Sequence, residues 1–82
     1  MIETRIYLGD GEYRLVRART LDGLFNRIAK IFGGNSCSGC LEGWNDEAEY
    51  YRLTVCRSLP RRYGPGREIV RELSVSVPRS AA

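Results

Sequence analysis

The side chains best suited to chemistry are the three cysteines. Cys37-Ser38-Gly39-Cys40 sets two thiols at C-x-x-C spacing, and Cys56 stands apart. Closed over a tight turn, such a pair supplies two of the four thiolates of a structural zinc site. No second pair exists here, so a zinc site needs Cys56 as third ligand and Asp46 or Glu47 as fourth, or one pair from each of two chains. Thiol–disulfide exchange of the thioredoxin kind wants the pair at the start of a helix, where the dipole lowers the thiol pKa. This pair follows a predicted helix end, which argues against it. An odd thiol also suits a disulfide between two chains. The plain alternative makes Cys56 a small half-buried residue and Cys37 and Cys40 ordinary loop thiols, with no metal and no cofactor.

Other catalytic groups are scarce. The chain has no histidine, which removes the commonest general base and the commonest zinc ligand together. No two carboxylates stand at a spacing that forces them into one site. Gly9-Asp10-Gly11 lacks the Gly-Lys or G-x-x-G context of a phosphate loop. The expectation is a protein that is not an enzyme.

Hydropathy patterning supplies the frame. Ile2, Thr4, Ile6 and Leu8 alternate with Glu3, Arg5 and Tyr7, predicting a half-buried strand over 2–8. Gly9-Asp10-Gly11 tolerates positive φ and predicts a hairpin into a second strand over 12–18. Thr20 is a good N-cap, and Leu21, Leu24, Phe25, Ile28, Ala29 and Phe32 recur at helical spacing, predicting a helix over 21–32 that Gly33-Gly34 stops. Residues 33–47 lose all periodicity in Gly, Ser, Cys, Asn and Asp and read as a loop. Alternation returns over 48–57, a Pro- and Gly-broken loop is expected over 58–66, and a last strand over 67–77.

The order β-β-α-β-β predicts a two-layer α+β domain over 1–82: a four-stranded sheet with one helix packed on one face. The first forty residues are similar in plan to the β-grasp arrangement, and a plain antiparallel sheet fits the same order. The core is thin in so short a chain, with roughly 60–65% of the unfolded surface buried, so a metal, a disulfide or a second subunit would help it.

With the apolar sides of the strands against the helix, the opposite face shows Arg5, Tyr7, Arg14, Tyr50, Arg52 and Glu72. Tyr and Arg are enriched where proteins bind one another, and they also stack on bases and grip phosphates. The bland reading is a solvated face of cross-strand pairs. Glu42, Asp46, Glu47 and Glu49 form an acidic stretch around Trp44, while Arg57, Arg61, Arg62, Arg67 and Arg71 form a basic one. Joined in a hairpin, the two make the chain electrically lopsided. Arg61, Arg62 and Tyr63 are contact candidates on an exposed cationic loop. Trp44 either folds back over the core or stands out as a binding anchor.

The net charge is +3, with twelve arginines against the single Lys30. No apolar run approaches the ~20 residues of a membrane span, and the first residues lack a signal-peptide pattern, so a cytoplasmic protein without membrane attachment is expected. In size and character the chain is similar to the small proteins with which phages and mobile elements block host machinery, anti-CRISPR inhibitors among them. That resemblance implies a subunit of a CRISPR or other nuclease complex as protein partner, and it transfers no site. The expected function is therefore protein binding or inhibition by surface complementarity, as a homodimer. The alternatives are a small nucleic-acid-binding protein and a zinc-stabilised or disulfide-linked dimeric module.

Overall fold

The computed structural model describes residues 1–59 and 66–79. Strand β1 (Ile2–Gly9) and strand β2 (Glu12–Ala18) form an antiparallel hairpin. Gly9, Asp10 and Gly11 all take positive φ, at 102, 54 and 78°, as a tight reversal between right-twisted strands requires. Opposed residues share a face, so Ile2, Thr4 and Ile6 lie on the same side as Ala18, Val16 and Arg14. Helix α1 (Leu21–Ile31) follows. The Thr20 hydroxyl accepts the Gly23 N–H at 3.0 Å. At the other end the Gly34 N–H reaches the Ala29 carbonyl and the Gly33 N–H the Lys30 carbonyl. That double closure, with Gly33 at φ 77°, is a Schellman motif.

The chain then departs from the expected loop over 33–47. Strand β3 (Ser36–Trp44) occupies its middle and pairs with β4 (Ala48–Ser58), which pairs in turn with β5 (Arg67–Pro78). The sequence hides β3 because two of its helix-facing positions, Cys37 and Gly39, are small. Cys37, Gly39 and Leu41 oppose Val55, Leu53 and Tyr51, and the space above Gly39 is filled by Phe25. A Cβ added at Gly39 would lie 2.5 Å from that ring and 3.0 Å from the Leu53 side chain. A glycine in a strand often marks such a close approach. Gly34 is similarly confined, against the Val55 side chain and the Cys56 carbonyl.

The fold is α+β, but the single four-stranded sheet expected from the sequence is replaced by two antiparallel sheets of two and three strands, in the order β1-β2 and β3-β4-β5. Where β1 and β5 meet, the buried Thr4 hydroxyl donates to the Ser76 carbonyl at 2.7 Å in place of a backbone ladder. Helix α1 packs against β1, β2, β3 and β4, bridging both sheets. The fully buried side chains come from each part: Ile6 from the hairpin, Leu24 and Ile28 from the helix, Leu53 and Val55 from the second sheet. Each contributes about 1.5–3 kcal/mol by leaving water. Phe25 and Tyr51 meet edge-on at 5.6 Å in this core, and Arg71 lies 4.9 Å above the Phe32 ring at its border. Among the described residues no helix is long and apolar enough to cross a membrane.

Gly39→Ala forces the Phe25 ring or β3 to move, so it lowers stability by about 1–3 kcal/mol, the usual cost of overpacking. Gly43→Ala, which meets nothing within 4 Å, serves as the control. Thermal denaturation followed by circular dichroism checks the difference: equal midpoints for the two variants contradict the close approach.

Candidate functional site

The residues expected on one open sheet face are divided between the two sheets, and most are engaged by neighbours. Tyr7 packs against Tyr13 with tilted rings whose centroids are 5.0 Å apart, and its hydroxyl accepts the Gly11 N–H at 3.0 Å. Arg5 opposes Leu15 and, with Glu3, Ser76 and Pro78, lines a shallow cleft of about 340 Å³ along the β1–β5 seam. Arg52 reaches Ser74 Oγ at 3.4 Å and the Glu72 carboxylate at 3.9 Å. Tyr50 accepts a hydrogen bond from Asn45 Nδ2 at 3.1 Å. Arg5, Tyr7, Tyr50, Arg52 and Glu72 nonetheless remain exposed. Arg14 does not belong to it: paired with Ile6, it lies on the helix side of its strand.

Trp44 is 67% exposed at the end of β3 and is not folded into the core. The turn after it is knitted by Asn45, whose side-chain oxygen accepts the Glu47 and Ala48 N–H groups at 2.8 and 2.9 Å. The acidic stretch thus sits at one end of β4. Arg57 and Arg67 sit at the other, beside Glu68, which pairs with Arg57 at 2.7 Å. The separation of charge runs along the strands, over roughly 30 Å at about 3.3 Å per residue. Arg61, Arg62 and Tyr63, the expected cationic contact loop, lie outside the described residues.

Cys37, Cys40 and Cys56 are free thiols. Cys37 and Cys40 are three residues apart on an extended strand, so their side chains leave opposite faces, Cys37 beside Val55 and Cys40 beside Arg52. The C-x-x-C is not a tight turn, and this backbone does not bring its two sulfurs onto one metal ion. Among the described residues no group of three or more potential ligands is gathered. Cys56 opposes Ser36, one step from Cys37. Burial, with Cys56 adding to it, pushes the Cys37 thiol from its ordinary value up to about 11. A thiol so disfavoured as thiolate is a poor nucleophile and a poor metal ligand.

One further groove was not singled out by the sequence. A groove of about 620 Å³ runs between β2 and α1, lined by Arg14, Leu15, Val16 and Arg17 on one side and by Gly23, Asn26, Arg27, Lys30 and Ile31 on the other. Four consecutive strand residues point alternately up and down, so what they line together is the strand's own edge. β2 has β1 on one side and, among the described residues, no strand on the other. Its outer N–H and C=O groups therefore open into the groove. The helical wall repeats at three- and four-residue steps, one face of α1. Among the described residues four cations and no carboxylate line the whole, and Arg17 alone of them is paired, to Glu3 at 2.9 Å. Arg27 and Lys30 are legible from the sequence as the polar side of the helix. Their position beside a bare strand edge is not, because it depends on how α1 docks.

The thiols separate by reactivity. At pH 8, three units below its pKa, about one Cys37 thiol in a thousand is ionised. Alkylation with iodoacetamide, read by peptide mass spectrometry, labels exposed Cys40 first and Cys37 last, and the Cys37 rate still climbs about tenfold per pH unit between 8 and 10. Equal rates at Cys37 and Cys40 contradict this ordering. Compared with known protein families, with curated proteins and with solved structures, the chain matches none.

Proposed function

We propose that this chain is a non-catalytic protein-binding domain that takes an acidic, extended segment of a partner along the open edge of β2. The observation that carries the reading is the coincidence, in one groove, of an unpaired strand edge and four cations without a carboxylate. A strand edge supplies main-chain hydrogen bonds to an extended peptide, and flanking side chains supply the selectivity. Arg14 lies on the helix side of β2, across the groove from Arg27 and Lys30, so carboxylates at every second position of an added strand share the face that meets these cations. Leu15, on the other face of β2, gives the intervening apolar residues something to touch. Such a domain acts by occupying the segment it binds, which is an inhibitor's mode of action.

A phosphate backbone also answers to four cations. Single-stranded nucleic acid, however, is held by aromatic rings on which bases stack, and no aromatic residue lines the groove. Tyr7 and Tyr13 lie on the far face of the hairpin, packed against one another with tilted rings. The protein reading is favoured on that ground.

Fluorescence anisotropy at low salt tests it with three labelled probes: a peptide alternating Glu and Val, a peptide alternating Lys and Val, and an oligothymidylate. The Glu/Val peptide binds, the Lys/Val peptide does not, and Arg27→Glu with Lys30→Glu weakens binding about tenfold, or 1.4 kcal/mol. Added salt weakens it further, since exposed charges are screened. Equal binding of both peptides, or no effect of the reversal, overturns the proposal. Capture of the oligonucleotide and not the acidic peptide replaces it with the nucleic-acid reading.

A further inference from the structure

Among the described residues β2 in the hairpin and β3 in the three-stranded sheet each leave an outer edge with no neighbouring strand, while β1 and β5 lie beside one another. The two edges are chemically unlike. The β2 edge is lined with cations, so two copies brought together there repel. From Ser36 to Leu41 the β3 edge carries no charge and no proline. Its first charged residue is Glu42, at the bulge where pairing with β4 shifts between Leu41 and Gly43. Natural sheets guard their edges with charge, proline or bulges, and a neutral, regular edge is a template for another strand.

Electrical polarity selects the occupant. The three-stranded sheet carries Asp46, Glu47 and Glu49 against one cation, Arg79, at the end where β3 finishes, and Arg57 and Arg67 against one carboxylate, Glu68, at the end where β3 begins, Ser36 lying opposite Cys56. An antiparallel partner that is a second copy presents its basic end to the acidic end of the first, and its acidic end to the basic. Two-fold pairing makes that match twice over. If both helices are to stay on the same side of the joined sheet, residues of like facing must oppose one another, so the axis passes through a residue position. The regular stretch from Cys37 to Leu41 is centred on Gly39. About that centre Leu41, 44% exposed in the single chain, covers Cys37 of the second copy, and Ser38 opposes Cys40.

We propose that two copies of this chain pair antiparallel along β3, about a two-fold axis at Gly39, merging their three-stranded sheets into one. The interface shares no residue with the β2 groove, so its failure leaves the binding reading untouched.

Sedimentation equilibrium under reducing conditions tests it first. The wild type has twice the 9.3 kDa chain mass, and Leu41→Lys, which adds a charge to the bare edge, raises the dimer dissociation constant at least about tenfold. A monomeric wild type, or a dimer indifferent to Leu41→Lys, overturns the proposal. Ser38→Cys tests the register without depending on a destabilised edge. On removal of reductant it yields a covalent dimer through Cys40 of the second copy, and adding Cys40→Ser abolishes that product. A dimer in which Ser38→Cys forms no such cross-link overturns the placement at Gly39.

Discussion

How near the helix lies to the second sheet is fixed by the contact between the Phe25 ring and the bare backbone at Gly39. An eleven-residue helix is about 16 Å long, little enough to cover two sheets that share no backbone ladder. It succeeds because it sits low: Gly39 admits the ring, Gly34 lets the chain turn tightly under Val55, and Leu24 and Ile28 then reach the seam between the sheets fully buried. A side chain at Gly39 lifts the helix off β3 and loosens every contact that follows. The same close docking, on the other flank of α1, sets Arg27 and Lys30 beside the edge of β2.

Much of the frame is legible in the sequence. Alternation marks β1, β2, β4 and β5 within a residue or two of their ends, and the Thr20 cap with Gly33-Gly34 brackets the helix. β3 is not legible, for a reason the structure supplies: period-2 patterning detects a strand by its large inward residues, and in β3 the inward volume belongs to Phe25 from another element. Ser36-Cys37-Ser38-Gly39-Cys40 therefore looks like a loop while being a strand. That one misreading carries others with it. It makes two thiols on opposite faces look like a chelating turn, and it leaves the expected architecture one strand short.

The site was less legible than the fold. Tyr7, Tyr50 and Arg52 are exposed and have the right identities for a contact surface, with Tyr7 and Tyr50 hydrogen-bonded to the adjoining turns and Arg52 to Ser74 on the next strand. The register Ile6 opposite Arg14 sends Arg14 to the helix side, a consequence of strict alternation from the buried Val16 that composition alone obscures. Arginines scattered through strand and helix become a single field only once the docking angle of α1 is known. Ion pairs are mostly exposed, as at Arg57 and Glu68, and pairs of that kind add less than about 1 kcal/mol each. Charge in this chain shapes approach and orientation far more than it holds the fold together.

The Thr4–Ser76 hydrogen bond joins residues 72 positions apart. Among the described residues the hairpin touches the three-stranded sheet directly only where β1 meets β5. Without β5 it would be held to the rest of the fold through α1 alone, so the placement of β5 beside β1 lets both sheets close over one shared core.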